Sequence, residues 1–152
     1  MRKTAWFAIC AVMVVAMMAA SGCATGGGAS GAGAAKGMSD AESITKTLET
    51  WKAGMETKDV AKLGEAMSDK FNHYEWGNKQ GMLDFLKTQF EQGTLEGAKI
   101  DATNAKTTIE NGVATVYPVG LTAPFGTATI EFKLEKEADG IWRATGITVE
   151  GV

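Results

Sequence analysis

One segment decides the fold: Thr127-Ala-Thr-Ile-Glu-Phe-Lys-Leu-Glu135, in which apolar and polar side chains alternate at every position. Alternation with a period of two is typical of a β-strand that packs one face on a core and leaves the other in water. The buried face is then expected to carry Ala128, Ile130, Phe132 and Leu134. Because half-solvated strands belong to antiparallel sheets, the segment predicts an antiparallel sheet with one wet side.

Turn signals on both sides of this segment predict its neighbours in the sheet. Asn111-Gly112 is a strong hairpin signal, because both residues tolerate the positive φ angles of a two-residue hairpin turn. Ala138-Asp139-Gly140 predicts another turn. Pro118 indicates an edge strand or a β-bulge, since proline cannot donate a hydrogen bond to the sheet. We therefore expect further strands over residues 99–110, 113–121 and 141–149.

Helical periodicity precedes the sheet. Ser39-Asp40-Ala41-Glu42 is a capping box, which typically begins a helix. The apolar residues after it recur at spacings of three and four, namely Ile44, Leu48, Trp51 and Met55. Asp59 and Asn78 can each cap a further helix, and Gly93 can end the last one. Helices followed by a meandering antiparallel sheet indicate the α+β class.

A short aromatic run lies between the second and third predicted helices: Phe71-Asn-His-Tyr-Glu-Trp76, followed by Gly77. We expect a strand here. Its two faces would be formed by Phe71, His73 and Glu75 on one side and by Asn72, Tyr74 and Trp76 on the other. The sequence leaves open which of the two faces the interior.

This order of elements resembles the nuclear-transport-factor-2-like (NTF2-like) superfamily, also called SnoaL-like or ketosteroid-isomerase-like. The resemblance covers essentially residues 40–151, and it includes Met67-Ser-Asp-Lys-Phe71 and Gly77-Asn-Lys-Gln-Gly81. It implies a cone in which three helices pack on a curved antiparallel sheet, with a pocket at the open end. It also implies that a homodimer can form through the open sheet face. Enzymes, binding proteins and adaptors all use this fold, so the resemblance does not fix a function.

Residues 1–23 resemble the export signal of a bacterial lipoprotein. Arg2 and Lys3 precede an apolar run over residues 5–20, and Ala20-Ser-Gly-Cys23 is similar to the lipobox, whose cysteine becomes lipidated. The resemblance implies a signal peptide over residues 1–22 and acyl chains such as palmitate on Cys23, which would hold the protein in a membrane. Ala24 in the next position implies the outer membrane, with the domain facing the periplasm. The alternatives are an uncleaved membrane anchor, or cleavage elsewhere that leaves Cys23 a free thiol.

Residues 24–38 contain six glycines and show no apolar periodicity. This composition is typical of a flexible linker. The predicted organisation is therefore a signal peptide over residues 1–22, the lipidated cysteine and linker over 23–38, and one domain over 39–152.

Charge and residue types exclude several classes of function. The chain has 15 basic and 18 acidic residues, and removal of Arg2 and Lys3 with the signal would leave 13 against 18, a net charge of −5. This balance gives no basic surface for nucleic acid. His73 is the single histidine, and no group of residues has the spacing of metal ligands. We predict neither a metal nor another cofactor.

The candidate pocket residues are mostly aromatic, which suits a small apolar or amphipathic ligand: Trp51, His73, Tyr74, Glu75, Trp76 and Tyr117. In the isomerase branch of the resemblance, Glu75 stands at about the position of the general base. The chain departs from that branch because Trp76 replaces a proline and Trp51 lies near the place of an oxyanion-binding tyrosine. We also find no second acidic donor on the later strands.

Three functions follow from these residues. The leading hypothesis is a lipid-anchored envelope protein whose domain binds a small ligand or serves in assembly without catalysis. The second is a SnoaL-type isomerase or lyase with Glu75 as its base. The third is a purely structural envelope lipoprotein.

Overall fold

The computed structural model describes residues 37–151, so the predicted signal peptide, Cys23 and nearly all of the linker lie outside the described residues. The described part has three helices, α1 (Asp40–Thr57), α2 (Val60–Ala66) and α3 (Lys79–Glu91). Its strands are β1 (Asn72–His73), β2 (Gly77–Asn78), β3 (Lys99–Asp101), β4 (Lys106–Glu110), β5 (Val113–Ala123), β6 (Gly126–Lys136) and β7 (Trp142–Glu150). The predicted α+β class, with three helices on a curved antiparallel sheet, is confirmed.

Each helix begins at the residue that the sequence predicts. At α1 the Ser39 hydroxyl accepts a hydrogen bond from the Glu42 backbone N–H at 3.3 Å, and the Glu42 carboxylate accepts one from the Ser39 N–H at 2.8 Å. Asp59 caps α2 and Asn78 caps α3 in the same way, each through a side-chain oxygen. Such caps satisfy backbone donors that the first turn of a helix leaves free.

The main sheet has the order β3-β5-β6-β7, and β4 pairs with the same edge of β5 as β3. The single strand expected over residues 99–110 is therefore wrong, because it divides into β3 and β4. β3 pairs with β5 around Leu121, whereas β4 pairs with residues 113–117 of β5. Asn111 and Gly112, with φ angles of 51° and 81°, form the predicted tight turn between β4 and β5.

Pro118 lies in an irregularity of β5 rather than on an edge. The register with β6 shifts between Val116 and Val119, so that one more residue lies on β5 than on its partner. β5 is flanked on both sides, which excludes the edge alternative and leaves the bulge.

The alternating face of β6 packs against α1 as predicted. Ala128, Ile130, Phe132 and Leu134 are all buried, and the rings of Trp51 and Phe132 meet edge to face with centroids 5.4 Å apart. The residues between them on β6 are exposed or half-buried. One face of the sheet is thus in water.

The N-terminal half of α1 is fastened to the beginning of β7 by hydrogen bonds, and we call this region the closed end. The Trp142 backbone N–H donates to the Ser43 hydroxyl at 2.9 Å, and the Thr47 hydroxyl donates to the Trp142 carbonyl. The Trp142 indole N–H donates to the Asp40 carboxylate at 3.0 Å, which also binds Lys136 at 2.7 Å. Every polar group named here has a partner.

The strand predicted over residues 71–76 is wrong. Only Asn72 and His73 form a strand, which pairs with Gly77–Asn78, and the residues between them turn. Gly77 has a φ of 67°, and this left-handed conformation lets the chain reverse directly after the aromatic residues. The two alternative faces therefore do not exist in the structure.

Within residues 37–151, no helix combines the length and the apolar character that crossing a membrane requires.

Candidate functional site

A cavity of about 520 Å³ lies between α1, α3, the 73–76 turn and the sheet, at the end of α1 away from its capping box. Its deep wall is apolar and buried, with residues from every layer: Trp51, Met55, Met82, Leu86, Leu95, Leu121, Ile130 and Ile147. Its rim, which we call the open end, holds exposed Tyr74, Glu75 and Phe125 and half-buried Gln89, Thr94 and Val149. A ligand here would meet hydrocarbon inside and water at the mouth.

Four rings form a stacked column along this cavity. The centroids of Tyr74 and His73 lie 4.5 Å apart, those of His73 and Trp76 4.1 Å, and those of Trp76 and Phe85 4.2 Å. The angles between successive ring planes are 30°, 15° and 16°. Because each inner ring has both faces covered, His73 and Trp76 can present only their edges to a ligand. We call this set the aromatic column.

A close backbone contact between Trp76 and Gly81, on the first turn of α3, holds the column. We call this contact the seat at Gly81. The Trp76 carbonyl oxygen lies so close to Gly81 that a Cβ atom there would be 2.0 Å from it. Glycine is therefore required at this position, although its φ angle is ordinary. The Gly81 N–H also donates to the Asn78 side chain at 3.1 Å, so the cap and the seat share one residue.

His73 is neutral at the centre of the column. Its Nδ1 accepts a hydrogen bond from the Glu75 backbone N–H at 3.1 Å, which places the ring proton on Nε2. Burial lowers the pKa of His73, and the nearby Glu75 carboxylate opposes this effect more weakly. With only 6% of its surface exposed, the ring acts as a fixed packing element that also closes the 73–75 turn.

Trp51 buries an indole N–H without a partner. Nε1 is the one buried side-chain nitrogen or oxygen among residues 37–151 that forms no hydrogen bond. Leaving a buried donor unsatisfied typically costs about 1–3 kcal/mol. The deep wall of the cavity therefore contains a destabilising group, in contrast with Trp142 at the closed end.

No protein-family model matches the sequence, and no curated protein matches it. Solved structures do match. A protein with a cystatin-like fold from Caulobacter vibrioides gives a TM-score of 0.60 at 14% identity, over 74% of this chain and 89% of its own. A protein provisionally named a ketosteroid isomerase, from Shewanella frigidimarina, gives 0.58 at 14% identity, over 71% and 94%. An NTF2-like protein of unknown function from Shewanella baltica gives 0.55 at 18% identity, over 72% and 93%.

The fold is NTF2-like. Identities this low establish the architecture alone, because one fold supports many unrelated functions. The function of this NTF2-like domain has to be argued from its own cavity.

The cavity of the NTF2-like domain brings together five of the six candidate pocket residues, Trp51, His73, Tyr74, Glu75 and Trp76. Tyr117 is the exception, and its assignment to the pocket is wrong. It follows the inward-facing Val116 on β5, so strand alternation places it on the outer face of the sheet. There it is 41% exposed, and its hydroxyl lies 3.5 Å from the Glu150 carboxylate.

Two aromatic contributors to the cavity were missed from the sequence. Phe85 ends the aromatic column, and Phe125 stands at the tip of the β5–β6 hairpin with 43% of its surface exposed. Phe85 lies beside the apolar stripe of α3, which could have indicated it. Nothing in the Pro124-Phe125-Gly126 turn indicates that the hairpin ends at the mouth of a cavity.

Glu75 lies at the rim and not in the apolar interior. Its carboxylate is exposed and makes no hydrogen bond or ion pair within the described part of the chain. A carboxylate in water lacks the apolar enclosure that prepares a general base for neutral pH. No three histidine, cysteine, aspartate or glutamate residues between positions 37 and 151 are grouped so that they could hold a metal ion.

Proposed function

We propose that this NTF2-like domain binds a small apolar or amphipathic ligand in its cavity without converting it, and that Cys23 anchors the protein in the cell envelope. The observation that carries the binding proposal is the cavity itself. It has about 520 Å³ of space behind an accessible mouth, within the range of known small-molecule sites. Eight buried apolar side chains form its deep wall.

The gain in free energy on binding comes from removing apolar surface from water. An apolar ligand would cover the deep wall and bury its own surface at about 25 cal/mol per Å². The pre-formed aromatic column adds to this, because rings that are already stacked lose little conformational freedom when a ligand arrives.

Catalysis by Glu75 has less support from the same geometry. The carboxylate stands at the rim, whereas the polar groups deeper in the wall are the Trp51 indole and the neutral His73. An indole N–H can donate a hydrogen bond but does not exchange protons during a reaction. The deep wall therefore offers no pair of acid and base.

A cavity-filling substitution tests the binding proposal. We expect the neutral fluorophore N-phenyl-1-naphthylamine to bind the wild-type domain and to quench its tryptophan fluorescence. Ile147→Trp fills the deep wall and should abolish this binding. Ile109→Trp is the matched control, because Ile109 is an exposed isoleucine on β4 that does not line the cavity. Binding that survives Ile147→Trp in a variant with a native circular dichroism spectrum would overturn the proposal, as would no binding to the wild type.

The proposed anchor has an independent test. Cells that express the full chain are fed an alkyne-labelled palmitate analogue and separated into soluble and membrane fractions. We expect label on the wild type, which should be found in the membrane fraction, and no label on Cys23→Ser. Cys10→Ser is the matched control, since that cysteine lies within the predicted signal. A labelled Cys23→Ser variant would contradict the lipidation.

A further inference from the structure

Between residues 37 and 151, the mouth of the cavity has one acidic side chain and no basic one. Among the lining residues that the structure describes there is no lysine or arginine, and Glu75 is the only carboxylate. Burial of His73 lowers its pKa and so disfavours its cationic form. The other polar side chains of the rim, Gln89 and Thr94, are uncharged. An amphiphile with its tail in the apolar interior would place its head at this mouth, where Glu75 is the charged side chain among the described lining residues.

The aromatic rings at the mouth also favour a positively charged ligand group. Tyr74 is 86% exposed, and it stacks on His73 with one face only, so its other face is turned to solvent. Phe125 is also exposed at the rim. The face of an aromatic ring carries partial negative charge and attracts cations, including quaternary ammonium groups. A carboxylate and exposed aromatic rings therefore occur together where a head group would lie.

We propose that the ligand is an amphiphile with a cationic head, a protonated amine or quaternary ammonium, whose apolar tail enters the deep wall and whose head lies at Glu75 and Tyr74. The inference rests on the proposed binding function and adds the class of head group. An anionic amphiphile such as a fatty acid would place its carboxylate beside Glu75, with no cation in the described lining to balance the two charges.

Three probes that share a ten-carbon chain distinguish ligand binding from the preference for a cationic head group. Decyltrimethylammonium, 1-decanol and decanoate are titrated below their aggregation limits by displacement of the neutral fluorophore at pH 7.5 and low salt. We expect the cation to bind roughly tenfold more tightly than decanoate, because one exposed carboxylate attracts the first and repels the second. Added salt should reduce this ratio, because the charges lie at an accessible mouth.

The charge of Glu75 is tested by a matched pair. Glu75→Gln should bring the affinities of the cation and decanoate to within about threefold of each other. Glu110→Gln removes the same charge from an exposed position on β4 outside the cavity, and it should leave the ratio as in the wild type.

The outcomes are distinguishable. If the fluorophore does not bind the wild type, ligand binding itself fails. If the fluorophore binds but no probe displaces it, binding stands and the amphiphile with a cationic head is overturned. If 1-decanol binds but decanoate equals or exceeds the cation, binding stands and the cationic head group is overturned. If the preference for the cation is the same in Glu75→Gln as in the wild type, the assignment of the head group to this rim is overturned.

Discussion

The two ends of the domain each bury a tryptophan, but only one of the two indole N–H groups has a hydrogen-bond partner within residues 37–151. At the closed end, the Trp142 indole donates to Asp40, and the neighbouring Ser43 and Thr47 satisfy its backbone. At the open end, the buried Trp51 indole has no partner within residues 37–151. Satisfied buried polar groups fix one arrangement, whereas an unsatisfied donor costs stability. We infer that the closed end maintains the fold and that the open end gives up some stability at the cavity wall.

The largest effect should come from removing a large ring at each end. Trp142→Ala should lower the free energy of unfolding by about 3–5 kcal/mol, because it empties a buried site. Phe85→Ala removes a half-buried ring and should cost only about 1–2 kcal/mol. Urea denaturation measures both values.

Binding should rank these two variants in the opposite order. Phe85→Ala opens the end of the aromatic column and should weaken fluorophore binding, while folded Trp142→Ala should bind as the wild type does. If Trp142→Ala lost affinity and Phe85→Ala kept it, the division between the two ends would be broken.

Two helical glycines sharpen the comparison. Gly81→Ala would place a Cβ against the Trp76 carbonyl, so it should destabilise the domain by about 1–3 kcal/mol and displace the aromatic column. Gly64→Ala on α2 would meet only flexible side chains, Leu83 at 3.4 Å and Lys79 at 3.9 Å. It should be neutral or slightly stabilising, because alanine favours helices. Near-ultraviolet circular dichroism reports the packing of the aromatic column, and urea denaturation measures the free energy of unfolding. Equal effects of the two substitutions would show that the seat at Gly81 is not tight.

The two indole N–H groups can be compared directly. Trp142→Phe and Trp51→Phe remove similar volumes, but only the first removes a hydrogen bond, while the second removes an unsatisfied donor. We expect Trp142→Phe to be more destabilising by about 1–2 kcal/mol, as judged by urea denaturation. An equal or reversed ranking would mean that Trp51 Nε1 has a partner in solution.

The smallest effect is a pH dependence from His73. Burial lowers its pKa in the folded state, whereas the unfolded chain takes up this proton at about pH 6.5. Between these two pKa values the unfolded state binds more protons, so stability is complete above about pH 6.5 and falls as the pH decreases through the window.

Unfolding measured from pH 7.5 to 5.5 tests this dependence. His73→Asn keeps an acceptor for the Glu75 N–H but does not titrate, so its curve should be flatter than that of the wild type. The lowered pKa values of carboxyls such as Asp40 and Asp139 place their titration below this range. Parallel curves of stability against pH for the wild type and His73→Asn would mean that the pKa of His73 is not lowered in the folded state.

The sequence predicts the helices and the long strands well because local rules act there without competition. Caps at Ser39, Asp59 and Asn78 and the alternation of residues 127–135 are satisfied within one element. The prediction fails at residues 71–76, where strand-forming aromatics turn instead. Gly77 and the seat at Gly81 decide that conformation, and the close contact of Gly81 with the Trp76 carbonyl is not visible in an alternation pattern. Tyr117 was misplaced because a residue's face depends on the neighbouring register. The lipid anchor and the homodimer stay predictions.

The position where the chain joins the domain affects how a ligand can reach the cavity. Ser39 precedes α1 at the closed end, where Asp40 binds Lys136 at the end of β6. β6 begins at Gly126 beside the mouth, and its eleven residues extend for roughly 35 Å. The chain therefore enters the described domain at the closed end, opposite the mouth. A ligand bound as proposed would reach the cavity from the side opposite Ser39, so the entry of the chain would not obstruct it.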